Sequence, residues 1–132
     1  MNRTLVSQLR RLTGDRCDYC RIPRRLDPLP FQVDHIIAQQ HGGQTVLGNL
    51  AWSCLHDNKH KGPNIAGIDP VTGDLVPLFH PRRQRWERHF DWNGAILVGR
   101  TRIARATIRV LAVNDPDAMA FRAELMEEGV FF

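Results

Sequence analysis

Three cysteines, and the spacing of two of them, constrain this 132-residue chain more than any other feature. Cys17-x-x-Cys20 stands in "RCDYCR", and Cys54 opens "CLHDNKHKG". A chain of this length has room for a modest core, so a metal staple adds directly to folding. An odd number of cysteines excludes a framework made only of disulfides. The first residues, "MNRTLVSQLRRLTG", lack the apolar stretch and cleavage site of a secretory signal. No apolar run reaches membrane-spanning length. The expectation is a cytoplasmic protein with reduced thiols. A second Cys-x-x-Cys would complete a four-thiolate knot, but the residue three beyond Cys54 is Asp57. Zinc accepts carboxylate oxygen, so Cys17, Cys20, Cys54 and Asp57 form one candidate set, with His56 as an alternative fourth ligand. The competing use of Asp57 is a helix pair with Lys61, four residues on, in a first turn that favours negative charge.

Along the chain, Leu5, Leu9 and Leu12 have helical spacing, and Gly14 is a natural stop. "RIPRRLDPLP" reads as an irregular loop, "FQVDHII" and "NLAWS" as short strands. Ser53 is placed to cap a helix over about 54–61 that Gly62 and Pro63 end. "IDPVTGDLVPLF" reads as a turn between extended segments, and "GAILVG" and "ATIRVLA" as two strands. Asp115, Pro116 and Gly129 mark the cap, first turn and end of a last helix. The fold class expected is α+β: a single domain, with a small metal core over about 15–70 and a β-hairpin-plus-helix extension over about 71–132.

The charge is uneven. Residues 1–113 hold 17 Lys+Arg against 9 Asp+Glu, while residues 114–132 hold one Arg against five acids. Sixteen of the 18 basic residues are arginine, whose planar fork suits phosphate. In "HPRRQRWERHFDW", Arg82, Arg83, Arg85 and Arg88 alternate with Trp86, Phe90 and Trp92. That mixture can hold phosphates and stack on bases, or it can put the aromatics in the core and the arginines in water. The aromatics are assigned here to the core, and some of the arginines, with Lys61 and His41, to nucleic acid.

The ordered set within one 46-residue span is Cys17-x-x-Cys20, Asp34-His35, Gly42-Gly43, Asn49-Leu50 and Cys54-x-x-Asp57-Asn58-x-x-Lys61-Gly62. It resembles the HNH endonuclease family, in particular the branch whose ββα-metal core is clamped by zinc between two Cys-x-x-Cys pairs. The resemblance implies His35 as general base, Asp34 and Asn58 as ligands of a catalytic divalent ion, and Asn49 as the residue that holds the loop between the strands. In it, Asp57 stands where the fourth cysteine is usual.

The chemistry is consistent with these assignments. Imidazole titrates near neutral pH and can deprotonate water, while a divalent ion can offset charge on a phosphodiester. Oxygen ligands from Asp and Asn favour Mg²⁺ or Mn²⁺ over zinc. The function expected is metal-dependent hydrolysis of DNA, and the alternatives are a zinc-stabilised nucleic-acid-binding module without catalysis or an interaction domain using the acidic C-terminal helix. One geometric problem is visible in advance: neighbouring residues of a regular strand, such as Asp34 and His35, point to opposite faces.

Overall fold

The computed structural model describes residues 1–130. Helix α1, Arg3–Leu12, starts where the Asn2 side chain accepts the Thr4 amide proton at 2.7 Å and ends before Gly14, which has φ +66°. Leu9 is fully buried and Leu5 and Val6 partly so, whereas Leu12 is turned out to solvent.

After α1 the chain makes a knuckle. Cys17 donates its amide proton to the Ile22 carbonyl, Arg21 takes a left-handed φ of 68°, and Arg16 bridges to Pro23. Strand β1, Gln32–His35, then pairs antiparallel with β2, Leu50–Ser53, in the register Asp34 opposite Ala51 and His35 opposite Leu50. Asp18 sews the knuckle to β2: its amide donates to the Trp52 carbonyl, and its carboxylate accepts the Trp52 amide at 2.7 Å. Helix α2, Leu55–Lys61, follows at once. Its cap is Cys54, whose sulfur accepts the Asp57 amide proton at 3.4 Å, and not Ser53, whose hydroxyl donates to the Cys54 carbonyl. The two strands and α2 make the ββα unit anticipated from the sequence.

The extension contains two further hairpins, β3 (Ala66–Ile68) with β4 (Leu75–Pro77) and β5 (Phe90–Asn93) with β6 (Ile96–Gly99). The short helix α3, Trp86–His89, precedes β5. Helices α4, Arg102–Val110, and α5, Pro116–Glu127, complete the chain. The last helix begins and ends where Asp115, Pro116 and Gly129 indicated.

The segment "ATIRVLA", expected to be a strand, lies largely within α4. Its β-branched residues favour extended backbone. The helix forms because Thr101 caps it, accepting the Ala104 amide proton at 3.1 Å, and because Ala104, Thr107 and Leu111 bury one face while Ala106 is buried on another. Thr107 fits there by donating its hydroxyl to the Ile103 carbonyl and accepting the Phe79 amide proton. Packing is close: a Cβ on Gly99 would lie 2.8 Å from the Arg105 nitrogen.

Buried side chains from both parts, from Leu9 and Tyr19 to Phe79, Leu97 and Leu125, form one hydrophobic cluster. Among the described residues no helix is long and apolar enough to cross a membrane.

Candidate metal knot and nuclease face

The knuckle brings Cys17 and Cys20 against the start of α2, which carries Cys54 and Asp57. All four residues are buried, and one ligand atom from each lies within 4.8 Å of the others. The Cys20 and Cys54 sulfurs are 3.8 Å apart, and Cys17 Sγ is 3.2 Å from Asp57 Oδ2. A tetrahedral zinc site with Zn–S bonds of 2.3 Å places its sulfurs about 3.8 Å apart. Burial and the adjacent Cys17 push the Asp57 carboxyl well above its usual range. Its contacts with Cys17 and Cys20 raise the Cys54 thiol likewise. So many acid-forming groups in one dry place ionise together only around a cation. The donor set fits zinc.

The structure also separates the two uses weighed for Asp57. Lys61 does not pair with it; its Nζ reaches toward β1 and lies 3.1 Å from Asp34. His56 is outside the cluster, with Nε2 2.8 Å from the Ala112 carbonyl oxygen.

The second set of residues is arranged around the end of β1. Asp34 faces inward, 4% exposed, and accepts the Tyr19 hydroxyl proton at 2.8 Å. Lys61, 1% exposed, donates to Asp34 and to the carbonyls of His35 and Ile36 at 3.1, 3.3 and 3.2 Å. Burial raises the Asp34 carboxyl above its usual range, and Lys61 and Tyr19 oppose that shift. Lys61 therefore acts as an internal cation, and its expected place on a nucleic-acid surface is corrected: α2 packs that side of itself against β1.

His35 points the other way, half-buried, with Nε2 2.9 Å from the hydroxyl of exposed Thr45. Asn58 sits at the rim of the seam between α2 and β1, partly exposed, and donates an amide proton to Gln32 Oε1 at 2.5 Å. The face of α2 that turns fully inward is that of Asp57 and Lys61. Gln32 and Asp34 share a face of β1, and Asn58 and Lys61 share a face of α2, so Asp34 and Asn58 line one seam.

Asn49 closes the loop that carries Thr45. Its Oδ1 accepts the Ile37 amide proton, and its Nδ2 donates to the carbonyls of Ile37 and Gln44 at 3.0 and 2.9 Å. Gly43 has no room for a side chain, since a Cβ would stand 1.7 Å from the Ile37 oxygen. His41 lies exposed on the short turn Gln39–His41 within this loop.

Of the arginines assigned to nucleic acid, Arg83, Arg85 and Arg88 are exposed. Arg82 is not free: its guanidinium pairs with the buried carboxylate of Asp18, and its side chain is only 11% exposed. Trp86 packs against Phe90 with ring centroids 5.3 Å apart and donates its indole N–H to the Tyr19 carbonyl, which assigns the aromatics to the core. Sequence reasoning missed the Tyr19–Asp34–Lys61 chain. Its one signal was a tyrosine, the only one in the chain, inside the cysteine turn. It also missed His80, which stands directly before the arginine run.

Residues 17–64, a little over a third of the chain, match the HNH endonuclease family. This segment, which contains the knot, the β1–β2 hairpin and α2, is thus an HNH endonuclease domain, and nuclease is the general class of function it indicates. No curated protein and no solved structure matches the chain.

Proposed function

We propose that the protein is a DNA endonuclease in which His35 deprotonates the attacking water. The observation that supports this most directly is the setting of His35 in an HNH segment: a half-buried imidazole at a strand end, oriented by Thr45 beside a loop clamped by Asn49. With the Nε2 proton donated to Thr45 Oγ1, the ring lone pair is on Nδ1, and Nδ1 takes the proton from water. Asn49 keeps Thr45, and through it the ring, in register with β1.

Asp34 and Asn58 offer hard oxygens from facing sides of the β1–α2 seam, a donor type suited to Mg²⁺ or Mn²⁺. A carboxylate has about four lone-pair sites, so Asp34 can serve an ion while keeping Tyr19 and Lys61. When bound, such an ion supplies neutralisation of charge on the scissile phosphate. Zinc is assigned to Cys17, Cys20, Cys54 and Asp57, where it holds the knuckle to α2 and takes no part in the chemistry. The chain is proposed to act as a single unit, because the knot and the extension share one buried cluster.

A second reading is a zinc-stabilised DNA-binding module without catalysis. It is favoured by the Asp34 carboxylate, whose charge is already countered by Lys61 and which also accepts the Tyr19 hydroxyl proton. Supercoiled plasmid incubated with Mg²⁺, Mn²⁺ or EDTA separates the two. The expected result is nicking or linearisation with either metal, none with EDTA, and a loss of roughly 10²–10⁴-fold in His35→Ala with unchanged DNA binding. Equal cleavage by wild type and His35→Ala removes His35 as the base. An inactive wild type that still binds DNA leaves the binding module.

A further inference from the structure

Between the Gly42–Gly43 loop and the turn that carries His80 and Arg83 lies a cleft of about 470 Å³. Ile37, Gly43, Gln44 and Asn49 form one wall, and His80, Arg83 and the Asp18-paired Arg82 stand on the other. Among the described residues lining it there is no carboxylate. An adjoining hollow of about 260 Å³ shares Ile37, His80 and Arg83, reaches Lys61, and likewise has no acid in its lining. The other clefts beside basic residues differ: the one at Arg85 contains Asp18 and Glu87, and the one at Arg122 contains Asp27, Asp57 and Asp117. Carboxylates repel phosphate, so the charge of this acid-free cleft suits a nucleic-acid backbone.

The donors in this cleft are oriented in advance. His80 Nδ1 accepts the backbone amide protons of Arg82 and Arg83 at 3.3 and 3.2 Å. That fixes the ring proton on Nε2, the opposite edge, where it is available to an acceptor. Burial, and then Arg83 and Arg82, lower the His80 pKa, so the ring stays a neutral donor near pH 7. Arg83 is exposed, and its guanidinium can meet two phosphate oxygens at once. The facing wall is rigid, held by the three hydrogen bonds of the Asn49 side chain and by the close approach at Gly43. The cleft also adjoins the reacting end of β1: Ile37 follows His35 by two residues, and Gln44 and Val46 flank the Thr45 that holds the His35 ring.

We propose that this cleft is a subsite for a DNA backbone phosphate next to the one cleaved, bound by the Arg83 guanidinium and the His80 Nε2–H. The subsite rests on the reading of the protein as a DNA endonuclease. Its part is to set the strand's register against His35, a positioning task with no share in proton transfer.

The test uses the full-length, zinc-loaded protein and a duplex in which each phosphate in turn is replaced by a neutral methylphosphonate, with binding measured without chelator and without added Mg²⁺ or Mn²⁺. For wild type, one position is expected to lose about tenfold or more in affinity, the scale of a charge-assisted contact. In Arg83→Gln the penalty at that position should fall to about nothing while the other positions keep theirs, and His80→Phe should reduce it in part. Arg109→Gln, an exposed arginine on α4, should leave the whole profile unchanged. Matching melting temperatures and zinc contents exclude misfolding. A wild-type profile retained in full by Arg83→Gln overturns the subsite while leaving the endonuclease reading intact. A wild type that shows the position-specific loss but never cleaves overturns catalysis and keeps the subsite, and a wild type that does not bind DNA overturns both.

Discussion

The two ends of α2 hold polar clusters built on opposite plans. On one, Cys17, Cys20, Cys54 and Asp57 converge, buried, with one ligand atom from each within 4.8 Å of the others. On the other, Asp34 is buried against Lys61 and Tyr19, Asn58 lies at the rim, and His35 leaves β1 on the opposite face toward Thr45. The first arrangement brings four donors to one point, where an ion fits. The second leaves a half-open edge beside an acid-free cleft, where a polymer can lie. A structural site has its whole donor set assembled within one chain. In the proposed nuclease, the second stays incomplete until substrate arrives.

The largest expected effect comes from breaking the assembled side. Stripping zinc with a chelator, or replacing Cys54 by Ser, should abolish cooperative melting, since structural zinc contributes about 10–16 kcal/mol in small zinc domains. Asp57→Cys should hold zinc longer against the same chelator and melt higher, and Asp57→Ala should do the reverse. Elemental analysis and thermal melts check this. Chelator-insensitive melting would show that the four residues hold no metal.

Next is the internal cation of the other cluster. Lys61→Met leaves the Asp34 carboxylate buried with Tyr19 alone, which should cost about 3–5 kcal/mol in denaturant unfolding. Adding Asp34→Asn to that variant should restore much of the loss, because no unpaired charge then remains. A Lys61→Met cost below about 1 kcal/mol, near the value of an exposed pair, would mean that the buried pair contributes little.

The smallest effect lies outside both clusters. Asp15 ties α1 and the knuckle to β2 by accepting protons from Arg10, Arg24 and the Trp52 indole. Burial works to raise its carboxyl pKa, but these hydrogen bonds prevail and hold it at about 2, below the ordinary 3.8. A folded pKa below the unfolded one gives stability that is present above about pH 4 and is lost as the pH falls through about 2. Asp15 is about one-third exposed, so solvent screening limits the gain to about 1 kcal/mol. Melting curves of wild type and Asp15→Asn should therefore differ most near neutral pH and converge toward pH 2. A constant gap across that window would place the contribution in packing instead of charge.

Much of this was legible in the residues. The spacing Cys17-x-x-Cys20…Cys54-x-x-Asp57 placed a knot, and the strand–loop–strand–helix pattern after it placed the ββα unit that the structure contains. α4 was misread because β-branched side chains drew the assignment toward strand. The regular return of Arg102, Arg105 and Arg109 at helical spacing was the stronger sign, since it leaves the faces between them free to be buried.

By itself the sequence determined which chemistry the chain can carry: thiolates and a carboxylate at ligand spacing, an imidazole beside an acid, and an excess of arginine before an acidic end. It could not determine how those groups pair. Asp57 could have met Lys61 along the helix, yet Lys61 reaches Asp34 and Asp57 joins the cysteines. Arg82 and Arg83 are neighbours in one basic run, yet the first is held by Asp18 and the second is exposed. Only the tertiary structure decided these partners. Spacing along a helix or strand fixes which side chains share a face, whereas the partner of a buried charge is set by what packing brings within about 3 Å of it, from any distance along the chain.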